Sequence, residues 1–168
     1  MVQIVSGVTD RQLDDARALM RAFVAWHRER HVEDRALIDA YFDEDEFAAE
    51  LASLPGKYGP PDGRLLLAYV DGEAAGCVAL RDLGGGICEM KRMFVPDRFR
   101  GKGIGWALAE RVIEEARTAG YSRMRLDTSK RQNEAMRLYE QIGFHRTEPY
   151  YELPPDLRDW LVFFEREL

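Results

Sequence analysis

Arg98, Arg100 and Lys102 are interleaved with Gly101, Gly103 and Gly105 in the run Arg-Phe-Arg-Gly-Lys-Gly-Ile-Gly. That combination suits an anion. The run follows an apolar strand, Glu89 to Val95, and opens a helix near Gly103. Amides in the first turn of a helix lack intrahelical acceptors and sit at the positive end of its dipole, so they hold phosphate well. Glycine lets the backbone close on the anion with no Cβ between them. The basic side chains add mobile positive charge. These residues point to a phosphate-bearing small molecule.

Two familiar phosphate loops compete for the same residues. A P-loop needs a glycine five residues before Gly101-Lys102 and a hydroxyl after them; here the glycine is missing and Gly103 takes the hydroxyl's place. A dinucleotide fold needs Gly-x-Gly-x-x-Gly directly after the strand, whereas this chain has Gly-x-Gly-x-Gly set back by Pro96 to Arg100. Asp127, at the end of the next strand, stands where a ribose-binding acid would lie, which keeps that alternative in view. A plain helix start that needs glycine turns is the third possibility.

Other reactive residues are scattered. His27 and His31 have metal spacing, but His-Arg-Glu-Arg-His lacks the glutamate position of a zinc protease, so a solvated or substrate-pocket pair is expected and no metal site. Cys77 and Cys88 lie in apolar strand-like runs and read as small buried hydrophobes, with a nucleophilic role as the alternative.

The elements that position these residues follow from periodicity. Gln3 to Ser6 reads as a strand. A helix capped by Thr9 or Asp10 runs to Arg30, with Leu13, Ala16, Met20 and Phe23 at helical spacing. A second helix spans Asp43 to Leu54. Three strands follow, Arg64–Val70, Glu73–Arg81 and Ile87–Val95, turned by Asp71-Gly72 and Gly84-Gly85-Gly86 into an antiparallel meander. The helix Gly103–Thr118 then connects to a strand, Tyr121–Asp127, which must lie parallel to Ile87–Val95. A helix over Asn133–Gln141, with Ser129 and Gln132 at capping-box spacing, precedes closing strands at Phe144–Thr147 and Trp160–Glu167. The order β-α-α-β-β-β-α-β-α-β-β makes an α+β domain with a mixed, mostly antiparallel central sheet flanked by helices.

Length and composition are consistent with one domain over residues 1–168, 46% hydrophobic. No apolar run approaches a membrane span, and the N-terminus has no signal-peptide pattern, so a cytoplasmic protein with no membrane partner is expected. The net charge of −6 argues against a nucleic-acid partner and leans toward cationic substrates such as amines.

Arg98-x-x-Gly101-x-Gly103 matches the Arg/Gln-x-x-Gly-x-Gly/Ala motif of the GNAT (GCN5-related N-acetyltransferase) superfamily. Glu89-Met-Lys-Arg-Met-Phe-Val95 resembles that family's preceding strand. Leu126-Asp127-Thr128, Asn133-Glu-Ala and Leu138-Tyr139-Glu-Gln-Ile-Gly143-Phe144 resemble its next strand and helix. The similarity covers about residues 87–147, in matching order and spacing.

The resemblance implies the acyl-CoA N-acyltransferase (GNAT) fold and an N-acetyltransferase that moves acetyl from acetyl-CoA to a primary amine in a ternary complex. It implies that Arg98, Arg100, Gly101, Lys102, Gly103, Ile104 and Gly105 hold the CoA pyrophosphate. It implies that Met93, Phe94 and Val95 pair with the pantetheine arm where the parallel strands splay at a bulge. Asn133 corresponds to a CoA contact, or is simply a helix cap. Tyr139 corresponds to the acid that protonates the departing thiolate, although it also shares an apolar helical face with Ala135, Leu138 and Ile142. Glu89 corresponds to a proposed general base, directly or through water; a salt bridge to Lys91 is the simpler reading. Trp26, Tyr41, Phe42, Tyr150, Tyr151 and Trp160 would line an acceptor pocket or pack in the core. The acceptor is a small-molecule or peptide amine, and a homodimer is compatible. A non-catalytic acyl-CoA-binding module is the main alternative, with no use for Tyr139.

Overall fold

The computed structural model describes residues 1–168. In chain order it comprises β1 Val2–Ser6, α1 Asp10–Arg30, α2 Arg35–Tyr41, α3 Glu44–Ala52, β2 Arg64–Val70, β3 Glu73–Gly84, β4 Ile87–Phe94, α4 Ile104–Thr118, β5 Arg123–Ser129, α5 Asn133–Gln141, β6 His145–Thr147, α6 Pro155–Trp160 and β7 Leu161–Glu167. The seven strands form one sheet in the order β1-β2-β3-β4-β5-β7-β6. Only β4 and β5 run parallel, because α4 carries the chain back across the sheet between them. The meander β2-β3-β4 forms as its turn chemistry predicts, with Asp71 and Gly72 both at positive φ between β2 and β3. No helix is long and apolar enough to cross a membrane.

Each sheet face has its own core. One packs α4 and α5 against Leu66, Leu80, Met90 and Leu126; α4 contributes Ile104, Leu108 and Val112 at helical spacing. The other packs α1, α2, α3 and α6 against Leu65, Leu67, Phe94 and Phe163. Burying each such large aliphatic or aromatic chain contributes about 1.5–3 kcal/mol.

Two helices are additions to the sequence reading. The seven-residue α2 buries only Ile38, so its apolar signal is too sparse for periodicity. The sequence also reads Pro154-Pro155 as loop, yet Pro155 is the first residue of α6, the one helical position where a missing N–H costs nothing. The capping box at Ser129 does not form. Gln132 caps α5 without a side-chain bond, and Ser129 instead ends β5 with its hydroxyl buried and unpartnered. At the other end of the domain the Thr9–Gln12 capping box of α1 is present in both directions.

The feature that matters for function lies between β4 and β5. They pair at Ile87↔Arg123, Cys88↔Met124 and Glu89↔Arg125, then part. On its other edge, β4 places Lys91 opposite Ala79 and Phe94 opposite Cys77, so β4 carries one extra residue. Arg92, at φ 60°, is that bulge. The added residue bends β4 away from β5 and opens a gap in the middle of the sheet.

Candidate active site

The glycine-rich turn sits where β4, α1 and α5 converge. Gly101 and Gly103 adopt φ 76° and 77°. Their hydrogens face open space, so glycine is required here by the left-handed backbone and not by crowding. This conformation leaves the amides of residues 101–106 with no backbone or side-chain acceptor; the first bond of α4 runs from Ala107 N–H to Gly103 C=O at 3.0 Å. Those amides lie at the positive end of a 15-residue helix. Arg100 locks the turn: its Nε donates to Val95 C=O at 2.9 Å and its guanidinium stacks 4.5 Å from the Trp26 ring.

Gly101, Gly103, Ile104, Gly105, Arg100 and Asn133 line one cleft of about 300 Å³, together with Met93, Phe94 and Val95 at the end of β4. Beyond Glu89 the β5-facing edge of β4 has no strand partner, as an added extended chain requires. Arg98 and Lys102 do not join this cleft. Arg98 turns outward to Glu73 at 2.7 Å and over Phe99, while the Lys102 ammonium sits 5.6 Å from the same ring. Arg98 and Lys102 thus lie outside the cleft while Phe99 and Arg100 line it, which residue spacing alone did not reveal.

A second, smaller cavity lies in the gap itself and shares Phe23, Met93 and Gln132 with the first. Tyr139 and Asp127 both line it. Tyr139 is 6% exposed; burial, with a smaller contribution from the Asp127 charge, pushes its phenol well above the usual tyrosine range. It therefore carries its proton throughout the neutral range. Asp127 Oδ1 accepts from Tyr41 and Oδ2 from Tyr151, each at 2.5 Å. Both its oxygens are thus taken, and Asp127 lines the gap cavity and not the glycine-turn cleft, which argues against the ribose-binding reading. His27 lines the same cavity and His31 the glycine-turn cleft, their Nδ1 atoms 2.9 Å apart. Neither is solvated, at 1% and 8% exposure. Burial lowers the pKa of both, that of His27 to about 4.

A third cavity, about 550 Å³, opens on the far side of the gap and shares Tyr41, Phe42, Lys91 and Arg92 with the second. Glu89 lies on its wall, 1% exposed. Its Oε1 accepts from Arg81 at 2.7 Å and its Oε2 from the Tyr150 hydroxyl, while Lys91 stands 4.0 Å away. Arg81 is thus the main ion partner, reached across the β3–β4 pair. Cys77 and Cys88 are buried, with burial pushing both thiols up to about 12, which leaves them unsuited to nucleophilic work. Of the aromatic residues, Tyr41, Phe42 and Tyr151 line the third cavity, Trp160 the second and Trp26 the first.

An anion-binding helix start, an unpaired strand edge and a buried phenol thus lie along one passage. The family model for acetyltransferases of the GNAT family matches residues 35–144, most of the chain and all of the passage's central elements. The chain belongs to the acetyltransferase (GNAT) family. The acetyltransferase is 47% identical over 107 residues to an uncharacterized N-acetyltransferase of Schizosaccharomyces pombe, covering 62% of this chain and 66% of that one. It is 40% identical over 124 residues to an IAA acetyltransferase of Azospirillum brasilense, covering 73% and 78%. In fold it resembles a GNAT-family acetyltransferase from Staphylococcus aureus, with TM-score 0.78, 19% identity and coverage of 100% and 99%. The acetyltransferase fold expected from the motif stretch therefore extends over the whole chain. Among its site residues Tyr41 had no motif to announce it, and Asp127 stood out in the sequence only for a different chemistry.

Proposed function

We propose that the protein transfers acetyl from acetyl-CoA to a primary amine, with the donor entering from the glycine-turn cleft and the acceptor from the opposite cavity. The continuity of the three cavities through the β4–β5 gap carries this reading. The free amides of residues 101–106 fit a diphosphate, and the unpaired edge at Met93, Phe94 and Val95 fits an extended pantetheine arm. Bound acetyl-CoA supplies the thioester: the neutral amine nitrogen attacks its carbonyl carbon, the C–N bond forms and the C–S bond breaks.

The chain's own groups handle charge and protons. A backbone amide at the end of β4 stabilises the negative charge that develops on the carbonyl oxygen. Tyr139 gives its proton to the departing sulfur and recovers one from solvent. The proton lost by the amine leaves through water toward Glu89, whose two oxygens are otherwise held by Arg81 and Tyr150.

The test is release of free CoA thiol from acetyl-CoA across a panel of primary amines. Amine-dependent release, with the N-acetylated product identified by mass, is the expected result. CoA binding with no amine-dependent release would replace the enzyme with a CoA-binding module.

A further inference from the structure

We propose that the amine acceptor carries a carboxylate, and that the third cavity is built to receive it on Lys91, Arg81 and Tyr58. The inference rests on the acetyl-transfer reading and names the acceptor class for the same site. It runs against the expectation from the acidic net charge, which favoured cationic substrates.

Charge inside the cavity is the first observation. Lys57, Arg81, Lys91 and Arg92 all line it, and the only buried or half-buried carboxylates on its wall are Glu50 and Glu89. Glu50 is already taken: Arg92 forks onto it at 2.8 and 3.0 Å, and Lys57 reaches it at 3.1 Å. Glu89 is shared between Arg81 at 2.7 Å and Lys91 at 4.0 Å. Positive charge is therefore left over inside. Asp43, Glu46 and Lys57 stand exposed at the mouth, where water and salt screen them, so the inner count is Arg81, Lys91 and Arg92 against Glu50 and Glu89.

Donor geometry is the second observation. Lys91 Nζ spends one hydrogen on the Tyr41 hydroxyl at 3.1 Å, and Arg81 spends only Nε on Glu89. Tyr58 lines the same cavity, is 0% exposed, and its hydroxyl lies beside Glu50 without a hydrogen bond of normal geometry. A buried hydroxyl without a partner is costly, and it marks a place where a ligand oxygen fits. An acceptor carboxylate would satisfy all three groups. Lys91 also touches, through Tyr41, the Asp127 side of the gap where the acetyl group must arrive.

The experiment compares kcat/KM for matched pairs: α-amino acids, their carboxamides, and simple cationic diamines as a third arm. The acids should exceed their amides at least about tenfold, a charge-assisted hydrogen bond's worth of discrimination. Tyr58→Phe, which removes a hydroxyl that neighbours Glu50 without a full hydrogen bond to it, should raise KM for the acid about tenfold. It should leave KM for acetyl-CoA and the melting temperature unchanged, a pattern that a purely structural tyrosine would not give. Lys91→Gln should narrow the acid–amide ratio in the same way. Equal or faster transfer to amides or diamines overturns this proposal and leaves acetyl transfer standing. No transfer to any amine overturns both.

Discussion

The hydroxyl of Tyr41, on α2, bonds to Asp127, on β5, across the gap where β4 and β5 part. The same oxygen accepts from Lys91 on β4 at 3.1 Å. One phenol thus bridges both lips of the opening, at the junction of donor and acceptor cavities. Tyr41→Phe removes both bonds and frees Lys91 to approach Asp127. We expect kcat/KM for the amine to fall about tenfold, with stability lowered by about 1–2 kcal/mol. CoA affinity should not move, because Tyr41 does not line the glycine-turn cleft. Steady-state kinetics beside calorimetry check this; a parallel loss of CoA binding would show that Tyr41 shapes the donor side instead.

Tyr139→Phe deletes the acid with little change of volume. Loss of a general acid costs about 10²–10⁴ in rate, so kcat should fall within that range while the CoA dissociation constant stays within about twofold. The pH profile adds an independent check. Burial and then Asp127 hold the phenol above its ordinary value, and an acid works only while protonated. No descending alkaline limb from Tyr139 should therefore appear below about pH 10. Undiminished turnover in the phenylalanine variant would remove Tyr139 from the chemistry.

His27 should make the fold acid-sensitive. Burial lowers its folded-state pKa from 6.5 to about 4, so the unfolded chain takes up this proton first. Stability is complete above pH 6.5, declines as pH falls toward 4, and loses nothing further from this group below that. Between pH 7 and 5 the loss should be about 2 kcal/mol. Urea unfolding of wild type and His27→Gln at both pH values measures it. The acid-induced loss should shrink by about that amount in the variant, and an identical loss in both would place the sensitivity elsewhere.

Glu50 and Arg92 form a buried ion pair in the outer cavity, with side chains 9% and 10% exposed. Burial alone would raise the Glu50 pKa, but Arg92 and then Lys57 outweigh it and hold the carboxyl at about 2. Glu50→Gln leaves the Arg92 charge without its counter-ion at the bulge. Breaking such a pair costs about 3–5 kcal/mol, which denaturant unfolding can resolve. A change below about 1 kcal/mol would mean that water already solvates Arg92.

The glycine-turn cleft was legible in the sequence because its parts are local. Gly101 and Gly103 are two residues apart and their backbone angles are set by their own chemistry, so spacing alone located the helix start. Met93 to Val95 and Asn133 reach the same cleft because short connections to α4 and α5 leave little freedom. The acceptor side was not legible in this way. Its ion pair joins positions 42 residues apart, and the Tyr41–Asp127 bond joins positions 86 apart. Only the folded sheet brings such pairs together. Tyr41 and Trp160 stand out in the sequence as aromatic candidates for an acceptor pocket, but the helices that carry them do not: α2 is too short to show a period and α6 is masked by its proline start. At Arg98 the motif position matches while the side chain lies outside the cleft, against Glu73 on the outer surface.

The central claim is that a diphosphate rests on the amides of residues 101–106. Calorimetric titration of CoA into wild type and Gly103→Val tests it most directly, with melting curves to confirm that both are folded. Gly103 sits at φ 77°, a conformation that valine resists, while nothing crowds its hydrogens. The account predicts micromolar-range binding to wild type and at least about a hundredfold weaker binding to a variant that still melts cooperatively. Equal CoA affinity in the two folded proteins would contradict it.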